Sequence, residues 1–440
     1  MRETPNISSF SIAELEEKTM RKFQVRNRFI PFRKSDIIEM CVNDSRLSED
    51  DQKLFRQFCH ILKSLIHFEF HDQVETLKDS YSPFNPDADT RLNYDYSEQE
   101  RKTLQKKLVD GLAAILDAAN FQKITEEDLE EALKEESLFK IRLRVDLEDF
   151  EDVIFYQRGE SFKEETQVKY FGLKKKPLRF TYYDRVMIYI KFKEESYFKA
   201  KNQKTLYFTP GSTIIKLFQN VPKADLEMLF PNSEVRMKII DKLIIGIPAA
   251  VSGIAVIATK LGASILLIAS VISFWLGLSE KEVKIDQEHL IVLALGLATL
   301  GGYLFRQVSK FKNRKIRFMK ALSDNLYFKN LDNNTGVFHH LVDAAEEEEF
   351  KEAILAYYFL LVEDRDLTIT ALDETIEHWF EKKHNCRINF EIEDAFKKLK
   401  GWGLVDLDKD IIRRKNLTDA MQQLDKIWDN YFPYYKAEMR

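Results

Sequence analysis

Apolar residues recur at helical spacing through most of the first 120 residues. In Glu49–Phe68 they fall on one helical face. This face contains Leu54, Phe58, Ile61, Leu62, Leu65 and Ile66. A second helix is expected to open at Ser97, because Glu100 follows at the spacing of a capping box. Thr125 with Asp128 predicts the start of a third. The pattern therefore predicts a helical N-terminal region over residues 1–136.

The period then changes from helical to alternating. Phe139–Leu147 alternates apolar and polar residues, which predicts a half-exposed strand. Four more segments read as strands: Asp152–Gly159, Gln167–Leu173, Arg185–Phe192 and Thr213–Val221. Because short turns separate several of them, an antiparallel sheet is favoured over a parallel one. We therefore expect a mainly antiparallel β region over residues 137–240.

Three apolar stretches follow: Leu243–Thr259, Leu261–Leu278 and His289–Phe305. A membrane-crossing helix needs about 20 apolar residues, so residues 241–306 are predicted to form a membrane segment. The preferred arrangement is a transmembrane helical hairpin made by the second and third stretches. The first stretch would then be re-entrant or interfacial. Three full crossings remain an alternative.

Basic residues around these stretches predict how they are oriented. Lys260 is the single charged residue between Leu243 and Leu278, and it is expected to mark a bend at the membrane surface rather than line a pore. Arg306, Lys310 and Lys312 follow the last stretch and are expected at the same interface. Basic flanks stay on the cytoplasmic side. The pattern therefore predicts a multi-pass protein of a bacterial or organelle inner membrane, with both termini on the cytoplasmic or matrix side.

The last part of the chain, residues 307–440, shows a recognisable order of elements. After a long helix come a short strand, two helices and a hairpin, which is the order of a winged helix. Its third helix, Asn389–Gly401, mixes three acidic residues with its lysines. That balance disfavours a phosphate backbone as partner. The predicted fold class is thus an α+β membrane protein with a helical N-terminal region, an antiparallel sheet, a central transmembrane hairpin and a C-terminal winged-helix-like domain.

Candidate chemistry is sparse. His340, Asp343 and Glu347 share one helical face and form a candidate metal site. The four glutamates Glu346–Glu349 are better explained as a solvated first turn of a helix. The net charge of −5 argues against a strongly basic nucleic-acid binder. The sequence contains no CxxC pair, which disfavours a thiolate zinc site. No cofactor is predicted.

Three segments carry a family resemblance: Phe150–Gly159, Val221–Pro231 and Tyr327–Leu361. They resemble a domain-of-unknown-function family that includes transmembrane protein 143. The similarity spans roughly Phe139 to Trp428. It implies a membrane protein with a few central spans, and it supplies no catalytic residues.

These observations favour a membrane-anchored interaction or assembly protein rather than an enzyme. Its expected partners are the lipid bilayer, further copies of the same chain and possible protein ligands, with nucleic acid disfavoured. Two alternatives stay open. One is a small-solute or ion pore with a re-entrant segment at 243–259. The other is a metal-dependent hydrolase.

Overall fold

The computed structural model describes residues 26–134, 142–169, 174–202, 208–236, 262–278 and 287–431. The chain divides into two compact units. The first draws on Met1–Glu135, Leu147–Leu226 and Lys329–Arg440. The second draws on Glu136–Asp146 and Glu227–Phe328.

Helices make up most of the described chain. In chain order they are α1 (Lys34–Val42), α2 (Glu49–Tyr81), α3 (Glu98–Ala118), α4 (Glu126–Lys134), α5 (Glu195–Ala200), α6 (Gly262–Trp275), α7 (Gln287–Lys329), α8 (Thr335–Val362), α9 (Ile369–His384), α10 (Ile392–Gly401) and α11 (Leu417–Asp429). The predicted capping box is confirmed, because Ser97 and Glu100 cap each other's backbone at the start of α3.

The core of the first unit is built around α8. Every residue from Phe350 to Leu360 is buried, so this helix is covered on all sides. It packs against α1, α2, α3, α9 and α10. Aromatic rings fill these contacts, as where Phe58 of α2 stacks on Tyr357 at a centroid distance of 4.6 Å.

A five-stranded antiparallel sheet completes the first unit. Its strands are β1 (Gln122–Ile124), β3 (Phe150–Lys169), β4 (Lys174–Phe192), β5 (Thr213–Pro222) and β7 (Asn330–Asn333), in the order β1-β3-β4-β5-β7. The predicted antiparallel sheet is confirmed. The segments 152–159 and 167–173 were expected as separate strands, but β3 runs without a break from 152–159 through residues 160–169, and residues 170–173 lie outside the described residues.

The C-terminal part of the first unit keeps the predicted order of helices and hairpin. Helices α9 and α10 precede the hairpin β8 (Val405–Asp408) and β9 (Ile411–Arg414). The expected short strand before α9 is reduced to one backbone hydrogen bond, from the amide of Ile412 to the carbonyl of Leu367 at 2.9 Å. Within the described chain this part is thus a helical module with a two-stranded hairpin.

The second unit contains α6, α7 and a two-stranded ladder of β2 (Arg142–Arg144) with β6 (Glu234–Arg236). In this unit the prediction of a transmembrane hairpin is contradicted. Across the described ranges, no helix is both long and apolar enough for a membrane crossing. Helix α6 has 14 residues, or about 21 Å at 1.5 Å per residue, against a hydrocarbon core of about 30 Å.

The longer helix, α7, continues from its apolar first half into a basic second half, where Arg306, Lys310 and Lys312 are exposed. The prediction of a multi-pass inner-membrane location, with both termini on one side, is also wrong, because no helix in the described ranges is long and apolar enough to cross a membrane. Lys260 and the stretch 243–259 lie outside the described residues.

Candidate interaction surface

The longest feature of the sheet is the pairing of β3 with β4. After a shift between Phe150 and Asp152, the two strands stay in register from Asp152–Lys191 to Lys169–Lys174. Strand β5 pairs with β4 only between Tyr182 and Lys191. Residues 162–169 and 174–181 therefore form a two-stranded extension beyond the sheet, called here the ribbon. Its eight rungs correspond to about 27 Å at 3.4 Å per residue.

Basic residues collect at the far end of the ribbon. Lys169 lies opposite Lys174 in the last paired rung, and Lys175 and Lys176 occupy the next two rungs. Between residues 166 and 179 the sequence has five basic residues and no acidic one. Like charges directly opposite each other destabilise a strand pair. An anionic partner at this end would offset that repulsion.

The base of the ribbon is firmly held. Gly159 has a φ of +73°, and a Cβ there would lie 2.5 Å from a carboxylate oxygen of Asp184. The next amide, of Glu160, donates to the Asn27 side chain at 2.9 Å. Arg158 lies over the rings of Phe29 and Phe121, and burial lowers the pKa of its guanidinium. The ribbon thus projects from a rigid root.

Asn27 belongs to an extended N-terminal segment, Arg26–Arg33, called here the strap. Arg26 pairs with Glu377 of α9 at 3.1 Å, and Arg28 pairs with Glu391 beside α10. The carbonyl of Asn27 accepts from the amide of Asn389 at 3.0 Å. The strap therefore ties the root of the ribbon to the C-terminal module.

A buried ionic network fixes the strap to α8. Glu348 accepts from the amide of Ile30 at 2.9 Å and pairs with Lys351 at 2.8 Å. The ammonium of Lys351 also donates to the carbonyls of Ile30 and Phe32, at 2.8 and 3.2 Å. Each charge in this network therefore has partners, as burial requires.

Glu352 lies one turn further along α8 and is also buried. It accepts from the amide group of Asn120 at 2.7 Å. Burial, and then the nearby Glu348 carboxylate, raises the pKa of Glu352 well above its usual range. The buried site therefore favours the protonated form of Glu352 over its carboxylate.

The expectation of a solvated first turn at Glu346–Glu349 is wrong. Helix α8 begins at Thr335, so these residues lie about three turns inside it. Glu348 is 2% exposed. The pattern of apolar and polar residues did not predict this network. The signal that could have revealed it is Lys351, three residues after Glu348 on the same helical face.

The predicted metal ligands are not brought together. His340 is exposed and lies 3.7 Å from Asp332. Glu347 faces the ammonium groups of Lys34 and Lys351, at 3.4 and 3.9 Å. Asp343 is exposed on the same helix. Among the residues that the structure describes, no group of three or more metal-ligating side chains is placed to hold an ion. The metal site stays a prediction.

Helix α10 corresponds to the helix that reads DNA in many winged helices. Here its Lys398 pairs with Glu69 of α2 at 3.3 Å and with Glu349 of α8 at 3.0 Å. Trp402, just after α10, donates to Glu69 at 3.2 Å. This part of α10 is thus committed to internal packing, which argues against a role for it in reading DNA.

No solved structure matches the chain. Residues 183–336, about a third of the chain, match the model of a family described as a protein of unknown function, DUF3754. The matched residues include the second half of β4, β5, α6, α7 and β7. This part of the chain is therefore similar to a domain-of-unknown-function family.

Proposed function

We propose that the chain is a non-catalytic interaction and assembly protein that associates with further copies of itself through the ribbon. The observation that carries the proposal is the ribbon itself. It extends about 27 Å beyond the sheet, and its last rung pairs two basic residues, Lys169 with Lys174. Such an element costs stability unless a partner covers it.

The surroundings of the ribbon support this proposal. Its root is anchored by Gly159, Arg158 and the strap. These contacts hold the root of the ribbon in place on the first unit. The buried ionic groups of α8 are occupied by internal partners, and α10 is packed against α2 and α8. Within the described residues, the ribbon is the feature that fits docking best.

We also propose that the chain is related to the family that includes transmembrane protein 143. Val221–Pro231 lies inside the matched residues 183–336, and Tyr327–Leu361 begins inside them. Phe150–Gly159 lies before them. The resemblance contributes no partner and no site residue.

A shortened ribbon tests the proposal. Residues 163–180 are replaced by Asn-Gly, which closes the rung between Phe162 and Thr181 with a two-residue hairpin turn. Because β5 begins to pair with β4 at Tyr182, the sheet is retained. We expect the full-length wild type to be oligomeric by sedimentation velocity and the shortened variant to be monomeric.

The control keeps the ribbon and its charge, with arginine at Lys174, Lys175 and Lys176. It should assemble like the wild type, and all three proteins should show the same circular dichroism spectrum and closely similar melting temperatures. A monomeric wild type, or a shortened variant that still assembles, would refute the proposed function.

A further inference from the structure

The ribbon needs a surface on which to dock, and the identification of that surface rests on the proposed function. Helix α4 (Glu126–Lys134) has five acidic residues and one basic residue. Glu126, Glu127 and Glu131 are exposed, and within the described ranges none of them has an ion-pair partner. The exposed charge of this helix is negative, opposite in sign to that of the basic ribbon end.

Helix α4 cannot reach the ribbon end of its own chain. It follows β1, whose last residue, Ile124, pairs with Phe155 of β3. Because β1 runs antiparallel to β3, the chain enters α4 on the side away from the ribbon end. From Phe155 to Lys169 the strand covers about 46 Å, whereas the nine residues of α4 cover about 13 Å.

We propose that the basic end of the ribbon docks on the acidic face of α4 in a second copy of the chain. In each chain the acidic helix lies near the root of the ribbon and the basic residues lie at its far end. Two copies placed antiparallel therefore bring opposite charges together twice. This is an isologous two-fold arrangement, in which both copies use the same two surfaces.

The association is electrostatic and weakens as salt is added, because charges at an exposed interface are screened. A dimer that forms at low salt should therefore dissociate progressively as the salt concentration rises.

Charge reversal on each side tests the inference in the full-length chain. One variant carries Lys174→Glu, Lys175→Glu and Lys176→Glu. We expect its dimer dissociation constant at low salt to rise by at least about tenfold, because its ribbon now repels α4. Sedimentation velocity measures the constant, and circular dichroism confirms folding.

The second variant carries Glu126→Lys, Glu127→Lys and Glu131→Lys, with the same expected loss. Its matched control carries Glu49→Lys with Asp50→Lys, two exposed acidic residues in the first turn of α2. The control, like the changes at Glu126 and Glu127, removes two acidic side chains from the first turn of a helix, so it reports the helix-end effect of those two changes on stability. The control should dimerise like the wild type.

Mixing the two reversed variants is the decisive measurement. Each variant alone repels itself. In the mixed pair, the reversed ribbon of one meets the reversed α4 of the other, and the unchanged ribbon of the second meets the unchanged α4 of the first, so opposite charges meet at both contacts. An equimolar mixture should therefore form a heterodimer with a dissociation constant within about threefold of the wild type. Absence of the heterodimer overturns the inference.

The failures of the two proposals are distinguishable. If ribbon reversal dissociates the wild-type assembly and α4 reversal does not, the acceptor is wrong while the ribbon remains the docking element. If neither reversal has an effect, the charge-based docking on α4 is wrong, and the shortened ribbon variant decides the proposed function separately. Binding of a fluorescent 20-base-pair DNA duplex by the wild type, lost on ribbon reversal in a monomeric protein, would assign the ribbon to nucleic acid instead.

Discussion

Asp373 on α9 offers a sharp test of the electrostatics of the C-terminal module. Its Oδ1 atom is buried, and no hydrogen-bond partner for it exists in the described part of the chain. Burial, together with the carboxylates of Glu377, Glu391 and Glu374, raises the pKa of Asp373 from 3.8 to about 6. The charge of Arg26 opposes this shift and does not cancel it.

The raised pKa of Asp373 sets both the size and the sign of its effect on the free energy of unfolding. A shift of about 2 units corresponds to about 3 kcal/mol. Because the side chain is only partly buried, solvent screening reduces this to about 1–1.5 kcal/mol. The folded chain holds the proton more tightly than the unfolded chain, so the penalty is absent below pH 3.8 and grows as the pH rises to about 6. Above that pH the full penalty applies.

Asp373→Asn removes the penalty, so we expect it to stabilise the protein by about 1–1.5 kcal/mol at pH 7.5. The gain should shrink as the pH is lowered through 6 and approach zero near pH 4. Urea unfolding at several pH values measures it. Glu374→Gln, on the exposed neighbouring residue, should change stability by less than about 0.5 kcal/mol. A loss of stability at pH 7.5, or a gain independent of pH, would refute the reasoning.

Two further predictions concern buried groups of the first unit. Lys351→Met should lower the free energy of unfolding by about 3–5 kcal/mol, because it leaves the Glu348 carboxylate buried without its cation. Urea unfolding measures this, and a loss of less than about 1 kcal/mol would contradict it. Cys41 and Cys59 are buried and burial raises the pKa of both thiols, whereas Cys386 is partly exposed. A thiol reagent at pH 8 should therefore modify Cys386 first and reach the other two only on unfolding, and equal rates for all three would contradict this assignment.

Local signals allowed much of the helical part to be predicted. The start of α3 follows from Ser97 and Glu100, because the residues that cap a helix are neighbours in sequence. The strands of the sheet follow from alternation, because one of their faces is buried. The ribbon does not follow, since two strands outside a sheet need little apolar alternation. The stretch from Lys174 to Pro177, which lies between two of the expected strands, belongs to β4.

The buried ionic network at Glu348 was missed because its partners are far away in the sequence. Four consecutive glutamates indicate a solvated surface, yet Glu348 is buried by a strap 318 residues earlier in the chain. Spacing along one helix cannot report such a contact. The membrane prediction failed for a related reason: hydropathy counts apolar residues over a stretch, whereas a crossing also depends on where each helix begins and ends. Helix α6 ends at Trp275, after 14 residues.

The strap also determines when the protein can finish folding during its synthesis. Arg26 contacts Glu377 across 351 residues, and Arg28 contacts Glu391 across 363. At about 5–20 residues per second of translation, the strap leaves the ribosome about 20–70 s before these partners. Nascent chains that stall before Glu391 therefore lack the second of these ion pairs, and they should be the forms that cellular chaperones and proteases recognise.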